Sequence, residues 1–499
     1  MKTFKRLLFF IAGICLLIAC SKDEPAVMPV YKLQNDALAC GKVFKVEPTK
    51  GTDITENLKQ AFADAKAAGP GSVVQLPKGN FELGFIEIHE FFGSFVGAGK
   101  GKTIITAKTG LDCEAIWGIG QFPFLIKFVG GDIKMNNMTL QTPPGEITST
   151  GGDFWGLLLF ADYSFNFEPK KCYIKALVDN VEFIGHPGGW YNCWYALQAA
   201  QDDNLSSPFK RSHIDMTVTN CTFDTFAWGT NMSYIKEGKL VVGTTNNGDD
   251  RTNSNKEGEH GDRTPNNGNV YTNCYEDVSF FDDINVDISV AGNIFNIPAG
   301  WTDGLDVDNY PYGQEPQTKS PQVNVEGNIF NNAGENLGIW IHDHQHALYP
   351  EDNLPMLILI RKNQFNMNNV NGAGGCMYIR ETKNTLVCNN KFSGTGMFAI
   401  YVDAFWPGTY NENGLIRGNN FSHATYTWTP IYLDTFTKNW TVECGELIKE
   451  AIIDLGVNNR IIGTNVKNFD DHHEHNIIGN HHSDKERDRN NDRGHKFFK

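Results

Sequence analysis

The hydrophobic pattern predicts one helix, followed by many short strands. Apolar residues between Asp53 and Gly69 recur with helical spacing on one face, and Asp53 is expected to cap the start of this helix. From Ser72 onward, short runs of alternating apolar residues are bounded by Gly, Asn and Pro, which is typical of strands. The pattern therefore predicts an all-β protein that opens with a helix.

A six-residue phrase recurs through these strands. It has an aliphatic residue first, usually Asn or Gly third, often Asn fourth and Phe sixth. Asn or Gly at the third position suits a left-handed backbone, and the copy with Lys362 there departs from the pattern. The phenylalanines from Phe295 onward are 35, 35, 27 and 29 residues apart. The copies begin at Val178, Val218, Val290, Val325, Ile360, Val387 and Ile416.

Coils of this length, without a helix between strands and with an Asn/Gly corner, resemble the right-handed parallel β-helix of the pectate-lyase-like superfamily. Turns at 76–81 and 97–99 add to the resemblance. The resemblance implies a single domain over 46–480, an N-terminal capping helix that covers the first coil, and a polar tail at 481–499. Residues 230–275, rich in Asn and Gly, are predicted to be an insertion in one coil.

The N-terminus has the features of an export signal. Basic residues precede an apolar run over 7–19 that is too short to span a bilayer, so 1–19 is predicted to be a signal peptide. The sequence at 17–20 resembles the bacterial lipobox, which implies lipidation of Cys20 and an outer-membrane anchor. Residues 21–24 resemble an export signal of lipoproteins displayed on the cell exterior, and 20–45 would be the tether. A plain signal peptide and a merely solvated linker are the alternatives.

Composition and charge exclude several classes of partner. The chain has 499 residues and a formal charge of −15, from 43 basic and 58 acidic residues, which disfavours nucleic acid. The glycine-rich segment at 97–103 lacks the first glycine of a phosphate loop, where Val96 stands, so no nucleotide is expected. Nine cysteines remain beyond Cys15 and Cys20, and none forms a CxxC pair, so neither a disulfide framework nor a structural zinc is expected.

Five strands of the C-terminal half carry two polar columns that are predicted to face outward. Strict alternation puts Leu305, Ile339 and their equivalents inside, and parallel rungs about 4.8 Å apart would stack the outward residues over roughly 19 Å. The first column contains Asp306, Trp340, Tyr378, Tyr401 and Tyr432. The second column contains Asp308, His342, Arg380, Asp403 and Asp434.

These columns suggest carbohydrate chemistry. The rings of Trp340, Tyr378, Tyr401 and Tyr432 suit the C–H faces of sugars. Asp403 and Asp434 on neighbouring rungs are expected to hold different protonation states, as a glycosidase acid and its partner do. His342 and Arg380 suit the base and the carboxylate-neutralising cation of a polysaccharide lyase instead. Asp308 in the same column is also a catalytic candidate, and second candidates are Asp303, Asp306, Asp343 and Glu381.

Packing offers a competing explanation for the same residues. Aromatic stacks stabilise parallel β-helices without any ligand, and Arg380 has a ready partner in Asp403. His342, His344 and His346 alternate, but a histidine-rich turn is favoured over a metal site, and the histidines of the C-terminal tail favour adventitious binding. No resident metal site is predicted, and a calcium requirement is left open.

One motif suggests a narrower assignment but is incomplete. Residues 301–306 resemble the Asn-Thr-Asp-Gly motif of polygalacturonase-type hydrolases, with Trp301 in place of Asn, but the other motifs of those enzymes do not follow in order. The predicted function is a cell-surface lipoprotein that acts on polysaccharide or oligosaccharide, as a glycoside hydrolase or a polysaccharide lyase. The alternative is a glycan-binding or adhesin-like β-helix without catalysis.

Overall fold

The computed structural model describes residues 41–47, 52–113, 116, 122–143, 155–162, 173–186, 193–200, 213–243, 268–281, 283, 285–298, 303–308, 319–333, 337–344, 354–368, 374–405, 408–443 and 451–462. The predicted signal peptide, Cys20, the predicted tail at 481–499 and most of the predicted tether lie outside these residues. Within them, no helix is long and apolar enough to cross a membrane. One sheet takes in 33 strands, and every pairing in it is parallel.

The coils stack three strand faces around a common interior. The site face consists of Gly156–Ala161, Tyr195–Ala200, Trp228–Ser233, Glu276–Phe281, Asp303–Asp308, Leu337–His342, Gly375–Arg380, Phe398–Asp403, Ile431–Leu433 and Ile453–Asp454. The second face consists of His213–Thr219, Glu237–Gly243, Asn285–Ala291, Gln322–Glu326, Leu357–Arg361, Leu386–Cys388, Leu415–Arg417, Thr441–Glu443 and Arg460–Ile462. The third face consists of Thr222–Asp224, Val270–Thr272, Ile294–Ile297, Ile329–Ala333, Gln364–Asn368, Lys391–Gly396 and Asn420–Tyr426.

The first coils are built from a few strands that serve more than one face. They comprise Val43–Lys45, Ser72–Gln75, Gly79–Leu83, Thr103–Ala107 and the long strands Ile86–Val96, Phe124–Gln141 and Tyr173–Ile184. A small separate parallel pair is formed by Asn411–Glu412 and Thr437–Lys438. Together these elements confirm the predicted fold, a right-handed parallel β-helix.

The corner between the second and third faces explains the recurring phrase. Its third residue has a positive φ in every copy, from 53° at Asn180 to 68° at Gly327, as the sequence predicted. Lys362 adopts the same conformation, with φ 56°, although a left-handed lysine costs about 1–2 kcal/mol. The neighbouring coils therefore impose the turn even where the sequence does not favour it.

The fourth residue of the phrase has a separate role. Asn328 is fully buried, and its Oδ1 accepts hydrogen bonds from the backbone N–H and the side-chain amide of Asn293. Its own amide donates to Asn363 Oδ1 and to the carbonyl of Val290. The same pattern forms an inward asparagine ladder of Asn269, Asn293, Asn328, Asn363, Asn390 and Asn419. These bonds satisfy backbone groups that the tight corner leaves unpaired.

The sixth residue of the phrase builds a buried aromatic stack. Neighbouring rings lie face to face, with centroids 4.6 Å apart for Phe295 and Phe330. The stack contains Phe183, Phe223, Tyr271, Phe295, Phe330, Phe365, Phe392 and Phe421. Tyr271 lies within the predicted insertion at 230–275, yet it belongs to a regular coil. Regular strands occupy both ends of that segment, and residues 244–267 lie outside the described residues.

The helix Thr55–Ala68 packs against the first coils. Phe62 lies 5.1 Å from Phe91 and 5.7 Å from Phe128, measured between ring centroids. The prediction that Asp53 caps the helix was wrong, because Ile54 is the N-cap and makes no side-chain cap bond. Asp53 accepts hydrogen bonds from the N–H and hydroxyl of Thr55 and pairs with Lys108 instead.

Candidate functional site

The two predicted columns of the site face exist in the predicted register. Asp306, Trp340, Tyr378, Tyr401 and Tyr432 are successive partners on neighbouring strands. Asp308, His342, Arg380 and Asp403 form the second column in the same way. Asp434 follows the last residue of its strand and donates its N–H to the carbonyl of Val402. Period-two alternation was therefore sufficient to find the alignment.

The columns are more buried than outward strand positions of an open groove. His342 is 2% exposed and Asp403 is 6% exposed, whereas Trp340, Tyr378 and Tyr401 are half-buried. The polar groups of this face consequently lie in a desolvated environment, where they interact strongly with each other.

The aromatic residues form a ladder in which the rings stack on one another. The centroid distances are 4.8 Å from Trp340 to Tyr378, 4.6 Å from Tyr378 to Tyr401 and 4.7 Å from Tyr401 to Tyr432. Burial raises the pKa of the Tyr401 and Tyr432 hydroxyls, which therefore stay neutral. Because neighbouring rings occupy the faces of Tyr378 and Tyr401, these two residues offer ring edges to a ligand, and the Tyr378 hydroxyl is already bound to Asp403.

Arg380 and Asp403 are bound to each other. Nε and Nη2 of Arg380 each lie 2.9 Å from an oxygen of Asp403, and the hydroxyl of Tyr378 donates to the same carboxylate at 2.7 Å. The guanidinium carbon lies 4.8 Å from the ring centroid of Tyr378 and 5.2 Å from that of Phe405. This arrangement matches the packing explanation that the sequence offered for the pair. Arg380, the cation expected for a lyase, and Asp403, a carboxylate expected for a glycosidase, are therefore both engaged in the pair.

Three buried carboxyl groups meet on the site face beside the foot of the aromatic ladder. One oxygen each from Glu276, Asp303 and Asp306 lies within 4.8 Å of the others, and all three residues are buried. Trp228 donates its indole N–H to Glu276 at 2.5 Å. Ionised carboxylates this close repel one another, so their proximity favours sharing of a proton or a cation. We call these three residues the acidic cluster.

Asp277 borders the acidic cluster. Its carboxyl group is fully buried, and burial raises its pKa well above the usual value, while the charge of Asp303 raises it further. Asp277 is consequently protonated under conditions in which an exposed aspartate is ionised.

A second polar cluster lies around Asp308, two residues after Asp306 on the same strand. Nε2 of His342 is 2.7 Å from Glu381 Oε2, and Nδ1 of His344 is 3.3 Å from the same oxygen. Asp308 Oδ1 lies 3.9 Å from His342 Nδ1 and 3.6 Å from His344 Nε2. Burial lowers the pKa of His342 well below its usual value, and neighbouring His344 lowers it further. We call Asp308, His342, His344 and Glu381 the histidine cluster.

Asp434 stands apart from both clusters. It is half-buried, and its Oδ1 accepts hydrogen bonds from the N–H and hydroxyl of Thr435. Burial raises its pKa, the bonds from Thr435 oppose the rise, and the charge of Asp403 adds to it. The sequence predicted unequal protonation from charge repulsion, whereas burial is the larger cause.

Three of the remaining candidates belong to the two clusters, and one binds a backbone group. Asp303, Asp306 and Glu381, second candidates in the sequence, lie in the clusters, whereas Asp343 accepts the N–H of Met356 and supports a turn. Trp301 and His346 lie outside the described residues. Glu276 and Trp228 were missed, because they lie just beyond the two ends of the predicted insertion at 230–275. Extending the alternation one rung before Asp303 would have found Glu276, which is its register partner.

No protein-family model matches the sequence, and no curated protein does. Among solved structures, a lidless DFA-IIIase from Arthrobacter chlorophenolicus A6 is 12% identical and covers 86% of this chain and 100% of its own, with a TM-score of 0.43. The catalytic unit of a GH87 α-1,3-glucanase from Streptomyces thermodiastaticus is 14% identical and covers 90% and 71%, with a TM-score of 0.37. The A-module of an Azotobacter vinelandii mannuronan C-5 epimerase is 13% identical and covers 84% and 96%, with a TM-score of 0.39. None of these values assigns a function or a residue role to this chain.

Proposed function

We propose that the protein hydrolyses glycosidic bonds of a polysaccharide on the site face, with the acidic cluster as its catalytic centre. The observation that carries the proposal is the close approach of Glu276, Asp303 and Asp306, whose oxygens lie within 4.8 Å of one another. A proton shared in such a group places a protonated and an ionised carboxyl side by side. A glycosidase needs that combination, since one carboxyl protonates the leaving oxygen and another acts as base or nucleophile.

The surroundings of the acidic cluster support this proposal. Trp340 follows Asp306 directly in the register, so the half-buried edge of the aromatic ladder begins beside the carboxyl groups. The ladder offers ring edges to a sugar chain that runs along the coils. Trp228 holds one oxygen of Glu276 and restricts its rotation. A low-dielectric site with positioned carboxyls favours proton transfer in the transition state.

A polysaccharide lyase is the second candidate. It draws support from His342, which burial keeps neutral and which touches Glu381 at 2.7 Å, so that it is equipped to act as a base. Arg380 would have to leave Asp403 to neutralise a uronate. The hydrolase is favoured because the acidic cluster needs no such rearrangement. A non-catalytic glycan binder remains the alternative of a different class.

We also propose that the mature protein is a lipoprotein displayed on the outer membrane. The support is the sequence around Cys20 and the residues 21–24 behind it. Replacing Cys20 with Ser is expected to abolish metabolic labelling with palmitate and to release the protein from the membrane fraction. Protease treatment of intact cells would then test whether it faces outward.

An activity screen tests the enzymatic proposal. Neutral and uronate-containing polysaccharides are incubated with the protein, with and without calcium, while reducing ends and the ultraviolet absorbance of unsaturated products are followed. Hydrolysis is expected to yield reducing ends without the absorbance. Both signals together would favour the lyase, and retention of a glycan with neither signal would leave the binder.

Matched substitutions locate the chemistry. Asp303→Asn and Asp306→Asn are expected to lower kcat by about 100-fold or more, because each removes a proton donor or acceptor. Asp224→Asn changes an exposed aspartate on the third face and is expected to leave kcat unchanged. Full activity in both acidic-cluster variants would reject this site.

A further inference from the structure

Two imidazoles of the histidine cluster are oriented by the same carboxylate oxygen. Glu381 Oε2 lies 2.7 Å from His342 Nε2 and 3.3 Å from His344 Nδ1. Since a neutral imidazole carries one N–H, contact with Glu381 sets that proton on the nitrogen facing it. The lone pairs are then on His342 Nδ1 and His344 Nε2. Glu381 is itself fixed, because its other oxygen accepts hydrogen bonds from Phe405 N and from the hydroxyl of Thr409.

Both lone-pair nitrogens face Asp308. Oδ1 of Asp308 is 3.6 Å from His344 Nε2 and 3.9 Å from His342 Nδ1, which is too long for hydrogen bonds. This oxygen is buried and accepts no hydrogen bond from the described residues. The three ligand atoms lie within 4.8 Å of one another. Ligand atoms at about 2.0–2.2 Å from a shared zinc ion would be roughly 3.3–3.6 Å apart, close to the observed distances.

We propose that Asp308, His342 and His344 bind a divalent transition-metal ion, and that zinc is the ion their chemistry favours. Two imidazoles and one carboxylate suit zinc, whereas calcium prefers an all-oxygen shell. Glu381 then acts as the outer carboxylate that orients both histidines, as such carboxylates do at zinc sites. Three protein ligands leave a fourth position open to water or to an oxygen of a ligand.

The metal site is independent of the proposed hydrolysis. It shares no ligand with the acidic cluster, although Asp306 and Asp308 are two residues apart and face the same side of one strand. A failed activity screen therefore leaves the metal site untouched. A failed metal titration likewise leaves the acidic cluster untouched.

The test measures metal binding directly in the full-length protein. The tail histidines His472, His473, His475, His481, His482 and His495 are first replaced with Ala, because they are expected to bind metals adventitiously. The protein is stripped with a chelator and titrated with Co²⁺, whose visible absorption reports nitrogen and oxygen ligands in a low-symmetry shell. Zinc is then added to displace the cobalt. We expect one equivalent of Co²⁺, with displacement by one equivalent of zinc and none by calcium.

Four variants in the same background assign the ligands. Asp308→Asn and His344→Gln are each expected to raise the Kd for zinc at least about 10-fold, and Glu381→Gln is expected to raise it about 10–100-fold with unchanged stoichiometry. His213→Ala is the control, since this partly exposed histidine lies on the second face beside Asp215.

The outcomes separate a site from background binding. Wild-type affinity in Asp308→Asn and His344→Gln, or no binding in the parent protein, would overturn the proposal. Preferential binding of calcium would overturn the assignment of zinc. Circular dichroism of each metal-free variant checks folding, and Asp308→Asn decides if His344→Gln does not fold, because Asp308 is only half-buried and the change is isosteric.

Discussion

Arg380 and Asp403 face each other across neighbouring strands as a two-point ion pair, with both N–O distances at 2.9 Å. The pair is almost fully buried, so each charge depends on the other. Removing one partner leaves an uncompensated buried charge, which costs far more than the pair itself contributes.

Asp403→Asn is therefore expected to lower the free energy of unfolding by about 3–5 kcal/mol, measured by urea denaturation. The double variant Arg380→Met/Asp403→Leu should recover part of that loss, because no charge remains buried. Asp434→Asn, which changes a half-buried aspartate on the next rung, is the control and should have a smaller effect. Equal stability of Asp403→Asn and the wild type would contradict this account of the pair.

Substitutions of Tyr401 distinguish a role in packing from a role in glycan binding. Its two faces contact Tyr378 and Tyr432, so Tyr401→Ala is expected to destabilise the fold by about 3 kcal/mol. Tyr401→Phe keeps both stacks and should leave thermal stability nearly unchanged. If a glycan contacts the hydroxyl edge, Tyr401→Phe will weaken glycan binding at constant stability. A glycan affinity that falls only in the Ala variant would indicate that the ring itself makes the contact.

The inward asparagine ladder is expected to contribute more stability than its outward counterpart. Asn328→Ala removes the acceptor for the backbone N–H of Asn293 in a fully buried corner, at a cost of about 3 kcal/mol. Asn331→Ala breaks a similar ladder to Asn296 and Asn366 on the half-buried side of the third face, where water replaces the lost bonds. Its cost should stay below about 1 kcal/mol. Denaturation curves of the two variants provide the comparison.

Asp277 should make the fold less stable as the pH rises. Its pKa is raised by burial in the folded state and returns to about 3.8 on unfolding. The folded state therefore holds the proton more tightly. The contribution of Asp277 to the free energy of unfolding is fully present below pH 3.8 and is lost as the pH rises toward the raised pKa. Asp277→Asn keeps a neutral side chain and is expected to flatten this decline. An unchanged pH profile of the unfolding midpoint in the variant would contradict the assignment.

The fold and the alignment of the site face follow from local patterns in the sequence. A period of two in strands and a left-handed residue at each corner are properties of single segments, so they are visible without contacts. The alignment of Asp308, His342, Arg380 and Asp403 followed from the alternation alone. The roles assigned to these residues stay predictions.

The pairing of side chains across coils was harder to predict. Asp403 was expected beside Asp434 as a catalytic pair, but the nearer guanidinium of Arg380 binds it. Glu276, the register partner of Asp303, directly follows the segment of irregular composition at 230–275, which concealed the coil to which it belongs. His344 lies beyond its strand, so alternation could not show that it turns back toward Asp308.

The asparagine ladder also bears on how a chain of this kind changes length over evolution. Each asparagine bonds to its counterpart in the next coil and to a carbonyl of the coil before it. If a whole coil is deleted, the two flanking asparagines become neighbours and restore the same bonds, whereas a partial deletion leaves a corner unmatched. Growth and shrinkage of this solenoid are therefore expected to proceed by complete coils. Residues added singly should collect at the two edges of the site face, as in the coils after Phe295, whose spacing varies from 27 to 35 residues.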